Sequence, residues 1–172
     1  MARQLWLLRH ADAEPHGTRP DAERRLTERG EDQARLAGRA LKRMALEPEQ
    51  ILTSPKERAL RTATLALEEW GGGRLGRLHV HPPLSEGFDA SQALATLLQL
   101  GPEGRLLAVG HEPDLSHVVA GLTGARVDLK KAGLAVVRIA ATGGGLSDGA
   151  GGELLLLLRP VELARIADVH GA

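Results

Sequence analysis

Three strand-sized apolar runs in this chain stop abruptly on a cationic or hydrogen-bonding side chain, and a stretch of helical periodicity follows each one. The runs are "QLWLLRH" at 4–10, "ILTS" at 51–54 and "RLLAVGH" at 105–111. After the first, Ala34, Ala37, Leu41 and Met44 recur at helical spacing within 27–46. After the second, Ala59, Ala63, Ala66 and Trp70 form one stripe, which "GGG" at 71–73 stops. After the third, Leu115, Val118, Val119 and Leu122 make an apolar face. This alternation admits few folds. It predicts α/β class: a three-layer α/β/α sandwich around a mostly parallel central sheet.

The remaining elements fit that frame. A short strand near 77–81 leads through Pro82-Pro83 to "LSEGFD", and Asp89 with Gln92 has the form of a capping box for a helix reaching about Leu100. Residues 133–140 and 153–159 read as two further strands, antiparallel at the end of the sheet. The loop "ATGGGLSDGAGG" joins them. It has no lysine, so a flexible hairpin connection is expected there and not a phosphate cradle. No repeat or composition shift interrupts the 172 residues, which predicts a single domain over 1–172.

Composition excludes several functions. Lysine plus arginine and aspartate plus glutamate number 22 each, so net charge offers no attraction for nucleic acid or an anionic membrane, although a local cluster can still hold an anion. With no cysteine, disulfides, thiolate metal sites and a cysteine nucleophile are ruled out. Only three aromatic residues, Trp6, Trp70 and Phe88, are available, so aliphatic side chains must fill the core. "MARQLWLLRH" is too short an apolar run for a secretory signal, and "LLLLL" at 154–158 is strand-sized, so a soluble, cytoplasmic protein is expected.

In a parallel sheet, ligands gather beyond the carboxyl ends of the strands. Arg9-His10, Ser54 with Arg58, and His111 all arrive at that edge. In "SPKER" an ordinary capped helix accounts for Ser54 as N-cap, Pro55 as first helical residue and Glu57 as the closing carboxylate. It leaves Arg58, and Arg61 one turn on, unexplained. Arg58 would stand at the positive end of the helix, where an anion is welcome. Paired arginines and histidines without a metal-ligand set suggest a tetrahedral anion as guest. A neutral imidazole among them has the lone pair to attack phosphorus, while the surrounding positive charge stabilises the transferring oxygens. These residues alone leave open which histidine attacks.

Together, "LLRHADA", "LTERGEDQARLAGRAL", "ILTSPKERALRTA" and "LAVGHEPDLS" resemble the histidine phosphatase superfamily, the phosphoglycerate mutase-like fold, and within it the short SixA-type phosphohistidine phosphatases. The resemblance runs from about residue 3 to 140. It implies that His10 is the nucleophile of a covalent phosphohistidine intermediate. Arg9, Arg58 and His111 would bind the phosphoryl group and stabilise the transition state. Glu86, in "LSEG", lies where many members place the proton donor; a solvated loop carboxylate is the plain alternative. The implied activity needs no metal and no cofactor. The implied substrate is phosphohistidine on a protein such as a histidine phosphotransfer domain. A small phosphomonoester of sugar phosphate or α-ribazole phosphate type is the rival substrate, and a phospholigand-binding regulator without turnover is the rival class.

The run "RHADAE" departs from the RHG-(Glu/Gln)-Thr continuation of mutase-like members, so further phosphate contacts are not carried over; Asp12 is placed near the pocket without a catalytic role. Mutase activity would require an enclosed site that keeps water from the phosphoenzyme, and the short segments flanking Glu86 leave little material for a lid. "HEPDLSH" has Leu115 where a zinc-binding HExxH needs its second histidine. His79 and His81 are expected to be a surface pair, and His16, His117 and His170 have no supporting partners in the sequence. Lys130-Lys131 reads as a solvated turn, with lining of the substrate entrance as its alternative.

Overall fold

A computed structural model describes residues 2–140 and 151–168. Its elements alternate along the chain as β1 (Ala2–Arg9), α1 (Glu28–Arg43), β2 (Gln50–Thr53), α2 (Glu57–Trp70), β3 (Leu78–Val80), α3 (Ala90–Leu98), β4 (Arg105–Gly110), α4 (Asp114–Thr123), β5 (Leu134–Ala140), β6 (Gly152–Leu158) and α5 (Pro160–Asp168). The six strands form one sheet in the order β3-β2-β4-β1-β5-β6. Pairings β1–β4, β2–β4 and β2–β3 are parallel, while β1–β5 and β5–β6 are antiparallel, as the sequence predicts. Most of the glycine-rich loop, residues 141–150, and His170 lie outside the described residues.

Strand alternation divides the core. On one face Leu5, Leu7, Leu106 and Ala108 pack against Leu84, Phe88, α3 and α4. On the other, Trp6, Leu8, Leu107 and Val109 pack against Ala37, Leu41, Ala63, Trp70 and Leu163 of α1, α2 and α5. Helices on both faces make the expected three layers. With Leu and Ala supplying most of this core, α1 can approach α2 closely. A Cβ at Gly38 would stand 2.1 Å from the carbonyl oxygen of Ala66, so the contact needs hydrogen at that point.

Local signals set most helix ends. Thr27 caps α1 by accepting from Gly30 N at 3.0 Å. Asp89 and Gln92 form the reciprocal capping box that starts α3. Gly71, at φ +72°, ends α2. The box expected in "SPKER" is not formed. The N-cap of α2 is Lys56, without a side-chain cap bond, because Ser54 is buried at the end of β2 and its hydroxyl is engaged elsewhere. The nine-residue helix α5 is an addition to the elements expected from the sequence. Among the described residues no helix is long and apolar enough to cross a membrane.

This topology fixes where chemistry can sit. After β1 the chain leaves for the α1–α2 face, and after the adjacent β4 it leaves for the α4 face. Connections departing in opposite directions open a crevice between neighbouring strand ends. His10 follows β1 and His111 follows β4, so both stand at that crevice.

Candidate active site

His10 and His111 face each other with ring centroids 5.1 Å apart, tilted by 51°. Their backbones are joined across the sheet, His10 N donating to Gly110 O at 2.9 Å. Both are almost wholly buried, at 6% and 7% exposure. Nδ1 of His10 is 2.7 Å from the carbonyl oxygen of Ala11. A carbonyl only accepts, so Nδ1 carries the proton and Nε2 keeps a free lone pair.

Burial lowers the pKa of His10 to about 3, with the Arg58, Arg9 and Lys131 charges adding to it against the opposing pull of the Ala11 carbonyl. His111 is likewise lowered to about 3, by burial first and then by His10, Arg58 and Lys56. Both rings are therefore neutral at physiological pH. His10 is suited to attack, and His111 to donate one hydrogen bond.

Ser54 determines which nitrogen of His111 donates. Its Oγ lies 2.7 Å from His111 Nε2 and also accepts from Lys56 N at 3.2 Å. The hydroxyl hydrogen of this wholly buried serine has no other acceptor among the described residues, so it donates to Nε2 and leaves the proton on Nδ1. This Nδ1 is buried and has no hydrogen-bond partner in the described structure. It is a preset donor for a ligand oxygen.

Arg58 is 4% exposed and held by one residue twice: Nη1 donates to the main-chain O of Asp21 at 2.6 Å, and Nη2 to its carboxylate at 3.3 Å. Lys56 Nζ reaches the same carboxylate oxygen at 2.9 Å, and Arg24 pairs with the other at 3.1 Å. Lys56 foremost, and then Arg58, hold the Asp21 carboxyl far below the usual carboxylate range. Arg9 is anchored through Nη1 to Leu129 O at 3.0 Å. The Nε atoms of Arg9 and Arg58 are buried and unbonded, so each guanidinium retains donor capacity. Thr62 ties the parts together, accepting from Ala11 N at 3.0 Å and donating to Arg58 O at 2.6 Å.

The residues expected at the site thus divide. His10, His111, Arg9 and Arg58 come together at one sheet edge. Arg61 does not; it turns outward to Glu31 at 3.1 Å. Glu86 is exposed, directly after the short 3-10 turn Pro82–Ser85 that follows β3 on the same edge. Asp12 is beside the site, bonded to Lys131 Nζ at 2.8 Å and Thr27 Oγ1 at 2.9 Å, which with Lys131 foremost lower its pKa. His79 is exposed in β3 and His81 packs edge-on against Phe88; among the described residues no group of three metal-ligating side chains gathers. Sequence reasoning missed Asp21, Lys56 and the true role of Ser54. Nothing in the polar stretch "HGTRPDAERR" distinguishes Asp21 from its neighbours, but "SPKER" did mark Ser54 and Lys56 by position.

Comparison with known proteins agrees with this geometry. Residues 5–89 match the model of the histidine phosphatase superfamily (branch 1). An uncharacterized protein of Picosynechococcus sp. is 33% identical over 147 residues, spanning 78% of this chain and 84% of that protein. The protein histidine phosphatase SixA, solved in complex with tungstate, superposes with a TM-score of 0.78 at 26% identity, over 93% of this chain and 99% of that one. A structure from Escherichia coli K-12, described as a candidate α-ribazole-5′-P phosphatase, gives a TM-score of 0.70 at 19% identity, over 93% and 98% of the two chains, and speaks to the fold alone.

Proposed function

This chain belongs to the histidine phosphatase superfamily and is a phosphatase, and from that premise we propose that it removes the phosphoryl group from phosphohistidine on a protein, of the kind a histidine phosphotransfer domain presents. The observation that carries the reading is the pinned imidazole of His10, with Nε2 free, its ring 5.1 Å from that of His111 and within reach of the Arg58 and Arg9 charges.

The reaction has two displacements. Nε2 of His10 attacks phosphorus, a new N–P bond forms, and the N–P bond of the substrate breaks, returning that electron pair to the leaving imidazole. Water then attacks the phosphoryl group on His10, the N–P bond breaks, and inorganic phosphate departs. One imidazole replaces another in the first step, so little help is needed at the leaving group. For an ester the leaving alkoxide must be protonated, and Glu86 is the carboxyl group assigned to that task. In both steps charge moves onto the equatorial oxygens. Arg9, Arg58 and Nδ1–H of His111 would stabilise that charge, in a buried site where such donors act strongly. No step requires a metal or a cofactor. One domain over 1–172 supplies every group.

The test uses a phosphorylated phosphotransfer domain and a generic aryl phosphate, each with chelator present. The expected result is turnover of both, faster per encounter on the phosphohistidine. Turnover of the aryl phosphate alone would favour a small phosphomonoester as substrate. Turnover of neither would favour a phospholigand-binding regulator.

A further inference from the structure

Past Arg9 the functional edge continues into a second depression of about 560 Å³. Five of its lining side chains are cations, Arg9, Arg29, Lys130, Lys131 and Arg159, against the single carboxylate of Asp12. They come from four separate parts of the chain: the end of β1, the first turn of α1, the connection from α4 to β5, and the junction of β6 with α5. In a chain of zero formal net charge, this is local enrichment.

Local stability does not account for it. Arg29 is the second residue of α1, where the positive helix end disfavours a cation. Its side chain makes no hydrogen bond or ion pair among the described residues and feels Asp12 only through space. The Lys130-Lys131 turn is built rigidly onto the nucleophile's backbone. Ala132 N donates to His10 O at 3.0 Å, Arg9 N donates to Gly133 O at 3.1 Å, and Gly133 N closes the turn on Lys130 O at 2.7 Å. Ala132 is buried at φ +55°, a strained conformation for alanine, and such strain persists where the surroundings over-determine it. The two lysines are therefore held in a fixed relation to His10.

We propose that this basic depression docks an acidic surface of the protein that carries the phosphohistidine, an inference that rests on the protein-substrate reading above. Three of the cations already carry carboxylates, Lys131 with Asp12, Lys130 with Asp128 and Arg159 with Glu162. Exposed pairs of this kind are weak and screened, so a partner's carboxylates can compete for the same lysines and arginines. A compact second phosphate would need forks converging on one point. Here the cations come from four parts of the chain, and the three that are paired each hold a different carboxylate, which suits several separate acidic side chains. Val161, 46% exposed on the same rim, adds an apolar contact of the sort a protein face supplies.

The test is charge reversal on the rim, away from the catalytic groups: Arg29→Glu with Lys130→Glu. Turnover of an aryl phosphate reports on folding and chemistry, and should stay within about twofold of the unmodified protein. Turnover of a phosphorylated phosphotransfer domain with an acidic face should lose about tenfold or more in kcat/KM, chiefly through KM, and the loss should shrink at high salt. Unchanged kinetics on the phosphorylated domain would overturn the docking inference and leave the substrate reading intact. A reversal that instead abolishes a preference for small esters bearing a second phosphate would also overturn it. If the unmodified protein turns over aryl phosphate but no protein phosphohistidine, the substrate reading fails and takes the inference with it.

Discussion

Ser54 Oγ sits 2.7 Å from Nε2 of His111, and no other hydrogen bond to that ring is present among the described residues. The serine is the first residue beyond β2, wholly buried, and the histidine is the first beyond β4. Two neighbouring strands therefore settle the tautomer of one imidazole. Ser54→Ala should let the ring exchange tautomers and should lower kcat/KM on aryl phosphate by about tenfold, with a stability loss of about 1–3 kcal/mol from the orphaned nitrogen. Ser54→Thr, which keeps the hydroxyl, should recover most of the activity. Imidazole nitrogen chemical shifts read the tautomer directly. A Ser54→Ala protein with an unchanged His111 signal and unchanged rate would refute this role.

Asp21 presents both its main-chain oxygen and its carboxylate to Arg58. The carboxylate also competes with a bound phosphoryl group for the same guanidinium, so its removal has two opposed effects. Asp21→Asn should leave KM for aryl phosphate unchanged or lower while reducing kcat by about tenfold, since the arginine is less well aimed at the transition state. Acting through Arg58, it should add nothing once Arg58 is gone. The double variant with Arg58→Ala should therefore be no slower than Arg58→Ala alone, which we expect to cost on the order of 2–4 kcal/mol in barrier, by analogy with lost oxyanion donors. Additive losses would show that Asp21 acts by another route.

These two residues mark the boundary of what the sequence reveals. His10, His111, Arg9 and Arg58 are legible because strands end on them and strand ends in a parallel sheet must share an edge. The alternation of apolar runs and helical stripes likewise fixes the layers. Ser54 was visible but misassigned, since Ser-Pro-x-Glu satisfies the local rule for a helix start. A buried histidine fifty-seven positions away claims the hydroxyl instead, and the helix begins later, at Glu57. Asp21 has no periodicity or spacing to identify it. Its role exists only because the 14–25 segment folds back, Arg24 Nη1 donating to Glu14 O and Arg25 N to the Glu14 carboxylate. The α5 helix, by contrast, was legible: Pro160 stands at its first position, and Leu163, Ile166 and Ala167 recur at helical spacing on the face that packs towards α1.

Acid should weaken the fold through its histidines before its carboxylates. Each imidazole titrates near 6.5 in the unfolded chain and near 3 in the folded one. Below pH 6.5 the unfolded state binds more protons, so stability falls as pH drops from 6.5 towards 3. At pH 5 the two rings together should remove on the order of 2–4 kcal/mol relative to pH 7. Asp12 and Asp21, whose pKa values are lowered, hold their contributions until the pH falls further. Denaturant melts at the two pH values measure this. His10→Gln should flatten about half of the slope, and a wild-type protein equally stable at pH 7 and pH 5 would contradict the buried neutral pair.

Gly30 and Gly38 should behave differently, although a methyl group clashes at both. A Cβ at Gly30 would lie 1.9 Å from the carbonyl oxygen of Asp12, two residues beyond His10, whereas the clash at Gly38 is with α2. Overpacking against backbone costs roughly 1–3 kcal/mol or more, so both alanine variants should melt earlier. Gly38→Ala should keep its kcat at temperatures where it is folded. Gly30→Ala should lose kcat as well, because the displaced segment carries the Ala11 carbonyl that pins Nδ1 of His10. Equal kcat in the two folded variants would mean that His10 is oriented independently of that carbonyl.

Under the proposed mechanism, Glu86 should separate the two substrate classes. It is exposed beyond β3, and the next residue, Gly87, donates its N–H to the Asp114 carboxylate at 2.7 Å, which ties the turn to the first residue of α4. A carboxyl group there can protonate an alkoxide, which leaves poorly, and is less needed by imidazole, which leaves readily. Glu86→Gln should therefore slow hydrolysis of an alkyl phosphate by about 100-fold, in the usual range for a lost general acid, while slowing phosphohistidine hydrolysis much less. An aryl phosphate with a good leaving group should fall between them. His10→Ala, by contrast, should abolish acid-labile phosphoryl label on the enzyme with every substrate. Equal losses across the three substrates in Glu86→Gln would remove it from the chemistry and leave the proton to water.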